Sequence, residues 1–196
     1  MAVLGKRRQH NLTLHGQETG LTGSTLSCDA LLLHLQQGDF SLLAPAFVAQ
    51  DEAEPRVLEL WRSGCFDERP DALAEALTCA AFLGAMAVVE HLLHRGIRPD
   101  GGEATGLNAL HWAANRGELA AAQRLLEAGA AVERRNSYGG TVLGATVWAA
   151  VHEPRNSHAA IVAALLRAGA DVQEAGYPSG HAAIDALLEQ AGARAL

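Results

Sequence analysis

The feature that most constrains this chain is that it repeats itself. A glycine closes an apolar run at Leu92-Leu93-His94-Arg95-Gly96, again at Leu125-Leu126-Glu127-Ala128-Gly129, and again at Leu165-Leu166-Arg167-Ala168-Gly169. Gly96 and Gly129 are 33 residues apart and Gly64 and Gly96 are 32 apart, whereas Gly129 and Gly169 are 40 apart. The third interval therefore carries seven extra residues, placed most simply within 151–158. A chain with a period in this range stacks its units in line and buries apolar faces between neighbours.

Within each unit the apolar residues before the glycine fall three and four apart: Val89, Leu92 and Leu93; Ala122, Leu125 and Leu126; Val162, Leu165 and Leu166. That spacing predicts an amphipathic helix with one buried stripe. A short helical run precedes each one. With 49% hydrophobic and only 5% aromatic residues, a composition led by Ala and Leu suits closely packed short helices better than a β-sandwich or barrel. The reading is all-α, in one domain.

Charge and cysteines exclude several function classes. The net charge is −7, and beyond Lys6, Arg7 and Arg8 there are 12 basic against 22 acidic residues, which argues against a nucleic-acid surface. Cys28, Cys65 and Cys79 are odd in number and form no Cys-x-x-Cys pair, so neither a disulfide framework nor a structural zinc site is expected. They read as small core residues in a reducing cytoplasm. No apolar run reaches the roughly 18 residues of a membrane span, and residues 1–27 lack a signal peptide's apolar stretch. One lysine against fourteen arginines points to a GC-rich, bacterial coding genome.

The run Gly106-Leu107-Asn108-Ala109-Leu110-His111-Trp112-Ala113-Ala114-Asn115-Arg116-Gly117-Glu118-Leu119, continued by Arg124 to Ala130, resembles a nearly complete ankyrin repeat. The family's Thr-Pro-Leu-His tetrapeptide is matched by Asn108-Ala109-Leu110-His111, by Thr141-Val142-Leu143-Gly144 and by Glu75-Ala76-Leu77-Thr78, and only the first keeps the imidazole. In this family that histidine bonds to backbone of the neighbouring turn. The resemblance implies an ankyrin-repeat α-solenoid of about four repeats and a C-terminal half-repeat. The units are placed at about 28–66, 67–103, 104–136 and 137–176, with a cap at 177–196 and a flexible tail at 1–27. Unit one holds about fourteen extra residues around Pro45 and residues 51–55.

The resemblance further implies a partner docked on a concave surface made by loop tips and the exposed face of each first helix. Carried over by position, that surface includes Arg98, Asp100, Glu103 and Thr105, then Asn115 and Arg116, then Arg134, Arg135, Ser137, Tyr138 and Trp148, and beyond them Glu174 and Tyr177. Arg, Tyr and Trp are the residue types that most often dominate interface energy. Arg134-Arg135 is a basic pair on an acidic chain, which suits an acidic partner segment; each arginine could equally be solvated or paired with a nearby acid. Trp148 has two readings, packing under the insert or meeting a partner. The insert is a second surface or a tolerated loop, since lengthening a loop costs only about 0.6 kcal/mol per doubling. Trp112 takes a position the family fills with a large apolar core residue.

No catalytic constellation emerges. His152-Glu153 opens a His-Glu-x-x-His motif, but the fifth residue is Asn156 and Pro154 interrupts the helix. His91 and His94 lie three apart, and a solvated helix face near a C-terminus accounts for them. Residues 138–144 are glycine-rich without a P-loop lysine, and no Gly-x-Ser-x-Gly elbow is present. The expectation is a non-enzymatic, cytoplasmic module that binds another protein, with no cofactor, metal, nucleic acid or membrane. A structural or regulatory homo-oligomer, and an enzyme or small-ligand sensor, are the alternatives.

Overall fold

A computed structural model describes residues 26–49, 53–102 and 104–194. Nearly all of the segment set aside as a tail, and Glu103, lie outside these residues. The described part is helical, with one isolated antiparallel bridge between Arg135 and Thr141. In chain order come α1 (Cys28–Gln37), a 3-10 turn (Phe40–Leu43), α2 (Ala44–Phe47) and α3 (Arg56–Arg62). Three helix pairs follow: α4 (Pro70–Leu83) with α5 (Met86–His94), α6 (Ala109–Arg116) with α7 (Leu119–Glu127), and α8 (Val142–His152) with α9 (His158–Arg167). A second 3-10 turn (Val172–Ala175) leads to α10 (Ala182–Gln190).

The helices form two rows. In one, α1, α4, α6 and α8 pack in succession; in the other, α5, α7 and α9 do so, and α10 closes on α9. Small residues let the first row approach closely: Ala76, Ala80 and Ala81 on α4 and Ala109, Ala113 and Ala114 on α6 are all buried. Of the predicted stripes, Val89, Leu92, Ala122, Leu125, Val162 and Leu165 lie in the same continuous core, joined by Val88, Ala121 and Ile161, while Leu93, Leu126 and Leu166 pack against it only partly buried. Each fully buried leucine there stabilises the fold by about 1.5–3 kcal/mol, and truncation to alanine would cost about 2–5.

Polar side chains start α1, α6 and α8. Ser27 Oγ accepts the Ala30 N–H, Asn108 Oδ1 that of His111 at 3.0 Å, and Thr141 Oγ1 that of Gly144 at 3.2 Å. A left-handed residue ends α6: Gly117, at φ +77°, lets the Glu118 N–H reach back to Ala113 O at 2.8 Å. Helix α8 has no such glycine. It continues to His152, where the inserted segment begins.

Unit one departs from expectation in two ways. Its extra residues fold into the first 3-10 turn and α2, burying Phe40, Leu43, Ala46 and Phe47. Packing begins at Leu26, which is buried, and at Ser27, the α1 cap, not at residue 28. The absence of a disulfide is corrected as well. Cys28 and Cys65 are bonded, tying the start of α1 to the turn after α3. Counting cysteines fails here because two thiols 37 residues apart are brought together by the terminal unit while Cys79 stays buried and free.

Candidate binding surface

The turns between units settle how the missing imidazoles are replaced. His111 is fully buried, its Nδ1 2.8 Å from Asn108 Oδ1 and its Nε2 3.4 Å from Gly140 O in the next turn. Burial holds its pKa below the ordinary 6.5 against the favourable Gly140 carbonyl. One unit later the position is Gly144, and a Cβ there would lie 2.7 Å from Glu174 O. The backbone of the following turn has moved into the space an imidazole would need. In α4 the position is Thr78, whose hydroxyl bonds back to Ala74 O at 3.0 Å while the Gly101-Gly102 backbone lies against Ala74 and Thr78. Glu75 reaches the same turn, accepting the Ala104 N–H at 2.9 Å, and burial raises its pKa despite that bond.

Several expected contact residues are engaged inside the protein. Asp100 Oδ1 accepts the Ala131 N–H at 2.9 Å, which makes it an inter-unit strut, with exposed Arg98 3.9 Å away. Arg135 grips Glu174 with two parallel hydrogen bonds of 3.1 and 2.9 Å and donates to Gly139 O at 2.8 Å. The basic pair therefore presents less charge outward than its sequence suggests. Tyr177 donates to Glu189 Oε1 at 2.6 Å and packs on the core, and Thr105 accepts the Trp112 indole N–H at 2.7 Å. Trp112, half-buried, meets Phe82 edge-on at 4.9 Å, and Arg116 lays its guanidinium over Phe82 at 4.7 Å. Asn115 keeps its side-chain oxygen buried without a partner among the described residues.

Other expected contact residues face outward. Arg134, Arg116 and Ser137 are exposed, and Tyr138 is 77% exposed at the tip of the turn, where Asn136 Oδ1 receives the Tyr138 and Gly140 amides at 2.9 and 3.0 Å. Trp148 is 56% exposed, so the insert does not cover it. Its ring is stacked on His152, one helical turn along α8, with centroids 4.4 Å apart and planes 16° from parallel. His152 Nδ1 lies 2.8 Å from Trp148 O. Trp148, Asn115 and Phe82 each stand seven residues beyond the corresponding position of the tetrapeptide, so they share one register along the first row.

The insert is anchored. Ser157 donates to Gly117 O at 2.5 Å, and the buried His158 bonds Asn115 O at 3.1 Å. His158 Nδ1 accepts the Arg155 N–H at 3.1 Å, so the ring proton sits on Nε2 and the imidazole is neutral. Burial, the largest cause, lowers its pKa below 6.5. Arg155 lies against Gly117, where a Cβ would come within 2.8 Å of its side chain. No residue pattern signals these roles, because both acceptors are backbone carbonyls some 40 residues upstream.

Two further groups, His91 and Cys79, are occupied by packing, whereas His94 is exposed. His91 sits edge-on to Trp61 at 5.1 Å, and His94 Nδ1 contacts Glu90 O one turn back. Burial, then the charge of Glu75, pushes the Cys79 thiol well above its ordinary range. Among the described residues no group of three or more His, Cys, Asp or Glu side chains could hold a metal ion, and no helix is long and apolar enough to cross a membrane.

Comparison with known proteins agrees with this architecture. A family model of ankyrin repeats in three copies matches residues 76–176, and the chain belongs to the ankyrin-repeat family. Among solved structures it is similar to an ankyrin repeat domain from Acinetobacter baumannii, with 22% identity and a TM-score of 0.57 over 84% of this chain and 98% of that one, a likeness that shows the fold. No curated protein matches. Ankyrin repeats are in general protein–protein interaction modules and in general non-catalytic.

Proposed function

We propose that this chain is a non-enzymatic binding module that engages a partner protein through the concave face of its stack. The observation that carries this reading is Trp148. A large aromatic ring more than half exposed, on a first-row helix and held by its stack on His152, is poor design for a surface that meets only water. Tyr138, Arg116, Arg134, Arg98 and Asn115 extend the contact surface to either side of it. Asp100, Arg135 and Tyr177 support it from within, because each is already bonded to the protein.

The test is retention of partners on immobilised protein. Tyr138→Ala with Trp148→Ala should lose a protein that the parent retains, with an unchanged helical circular dichroism spectrum. Equal retention by both would place the site elsewhere. A second reading, self-association, is favoured by Leu33, Leu42 and Val48, which are exposed in unit one; sedimentation at rising concentration would detect it. The cytoplasmic location expected from the cysteine count sits against the Cys28–Cys65 bond, since a reducing compartment opens such bonds.

A further inference from the structure

The insert and the exposed end of α8 form a surface with a definite chemical preference. Arg116 and Arg155 have no carboxylate within 4.0 Å among the described residues, whereas Arg56, Arg62, Arg124 and Arg135 are all paired. Arg69, Arg95, Arg167 and Arg194 also lack such a partner among the described residues, so it is position that sets Arg116 and Arg155 apart. They are neighbours. Arg155 packs on Gly117, the residue after Arg116, and Ser157 and His158 fasten the insert to the carbonyls of Gly117 and Asn115. Trp148 is the register equivalent of Asn115 on the adjoining helix, and Val151, 42% exposed, follows it by one turn of α8. The acids nearby are Glu153 on the insert and Glu118, whose carboxylate is turned toward Gly84 in the preceding unit.

We infer that this edge binds an acidic segment of a partner protein that also carries apolar side chains, the apolar groups resting on Trp148 and Val151 and the carboxylates meeting Arg116 and Arg155. The inference rests on the concave-face reading and adds the partner's chemistry to it. Arginine presents five N–H donors in a planar fork matched to a carboxylate, and both arginines approach from positions fixed by the protein. Arg116 is steadied over the Phe82 ring, and Arg155 by the His158 bond to its own amide. The Trp148 ring is likewise held before any partner arrives, so little side-chain entropy is lost on binding. An insert tied at two points to the preceding unit is a presented surface, where a merely tolerated loop would need no such bonds.

Three capped peptides test this against 15N-labelled protein: Asp-Glu-Leu-Asp-Glu-Leu, the same with Lys for each acid, and the same with Ser for each Leu. The acidic, apolar peptide should shift the Trp148 indole resonance, and the Arg116 and Arg155 amides with it. Binding should weaken by at least about tenfold between 50 and 300 mM salt, and about threefold or more in Arg116→Gln or in Arg155→Gln. Those variants keep the aliphatic stem and a polar end while removing the charge, and unchanged spectra elsewhere would exclude misfolding. Equal or tighter binding of the lysine peptide at Trp148 would overturn the acidic preference while leaving the concave face in place. Shifts confined to α5, α7 or α9 would overturn both readings. No shift with any peptide would overturn this inference alone, the concave face being judged by the Tyr138 and Trp148 variants.

Discussion

Asp100 accepts the backbone N–H of Ala131 at 2.9 Å, and Glu133, at the same register one unit later, accepts that of Asp171 at 2.8 Å. Each acid stands four residues past the glycine that ends its second-row helix and bonds the residue two past the next such glycine. A ladder of acid-to-amide struts thus joins successive turns. Asp100→Ala should cost about 1–2 kcal/mol in urea denaturation, the range of a charge-assisted bond with partial solvent access. An unchanged midpoint would mean that water replaces the carboxylate without loss.

Gly144→Ala sets two effects against each other. Alanine gains about 1 kcal/mol of helix propensity over glycine, but its Cβ would lie 2.7 Å from the Glu174 carbonyl, a backbone atom that cannot swing aside. Overpacking of this kind costs about 1–3 kcal/mol, so the variant should melt below the parent. Gly144→His, which restores the family's residue, should be worse still. A rise in Tm for either would show that the second 3-10 turn retreats freely.

Opening Cys28–Cys65 removes a constraint on 37 residues of sequence. The chain-entropy relation for a loop of that length gives about 3–4 kcal/mol, to be read as the stability of the terminal unit. Cys28→Ser should therefore expose the amides of α1 and α3 to hydrogen exchange while α6 to α9 stay protected. Uniform protection in the variant would show that the bond contributes little.

The pKa values of His91, His111 and His158 are all held below 6.5, with burial as the largest cause in each. The unfolded chain then binds more protons than the folded one, so stability rises with pH through this range. The contribution is fully present above about 6.5 and is lost as pH falls below that value toward the lowered folded-state pKa. Thermal melting should show a decline in Tm from pH 7 toward pH 5. His158→Asn, which cannot titrate, should flatten part of it; an equally steep decline would assign the effect to His111 and His91.

The sequence exposed the two helical rows because buried leucines and valines recur with the helix period, and because glycines mark where each second-row helix stops. It located the insert by arithmetic alone. What it could not express were bonds made by backbone. The carbonyls of Gly117, Asn115 and Glu174 carry no side-chain signature, yet they decide why Ser157 and His158 are where they are and why residue 144 is glycine. Nor could sequence show how Arg135 is held: Glu174 lies 39 residues ahead of it, a separation with no local pattern. Trp148 was readable as unusual and unreadable as exposed until α8 had a neighbour.

The bonds from the insert back to Gly117 and Asn115 also bear on how this molecule comes apart. A linear array frays from its ends, because each terminal unit is held through a single junction. Here the junction between the α6–α7 and α8–α9 pairs is riveted by Ser157 and the neutral His158 in addition to its packed faces. Fraying from the C-terminus would take α10 first and then meet a resistant block of two pairs that loosens as one cooperative body. The Trp148 edge lies within that block, so the part of the surface offered to a partner is also the last part of its end of the chain to melt.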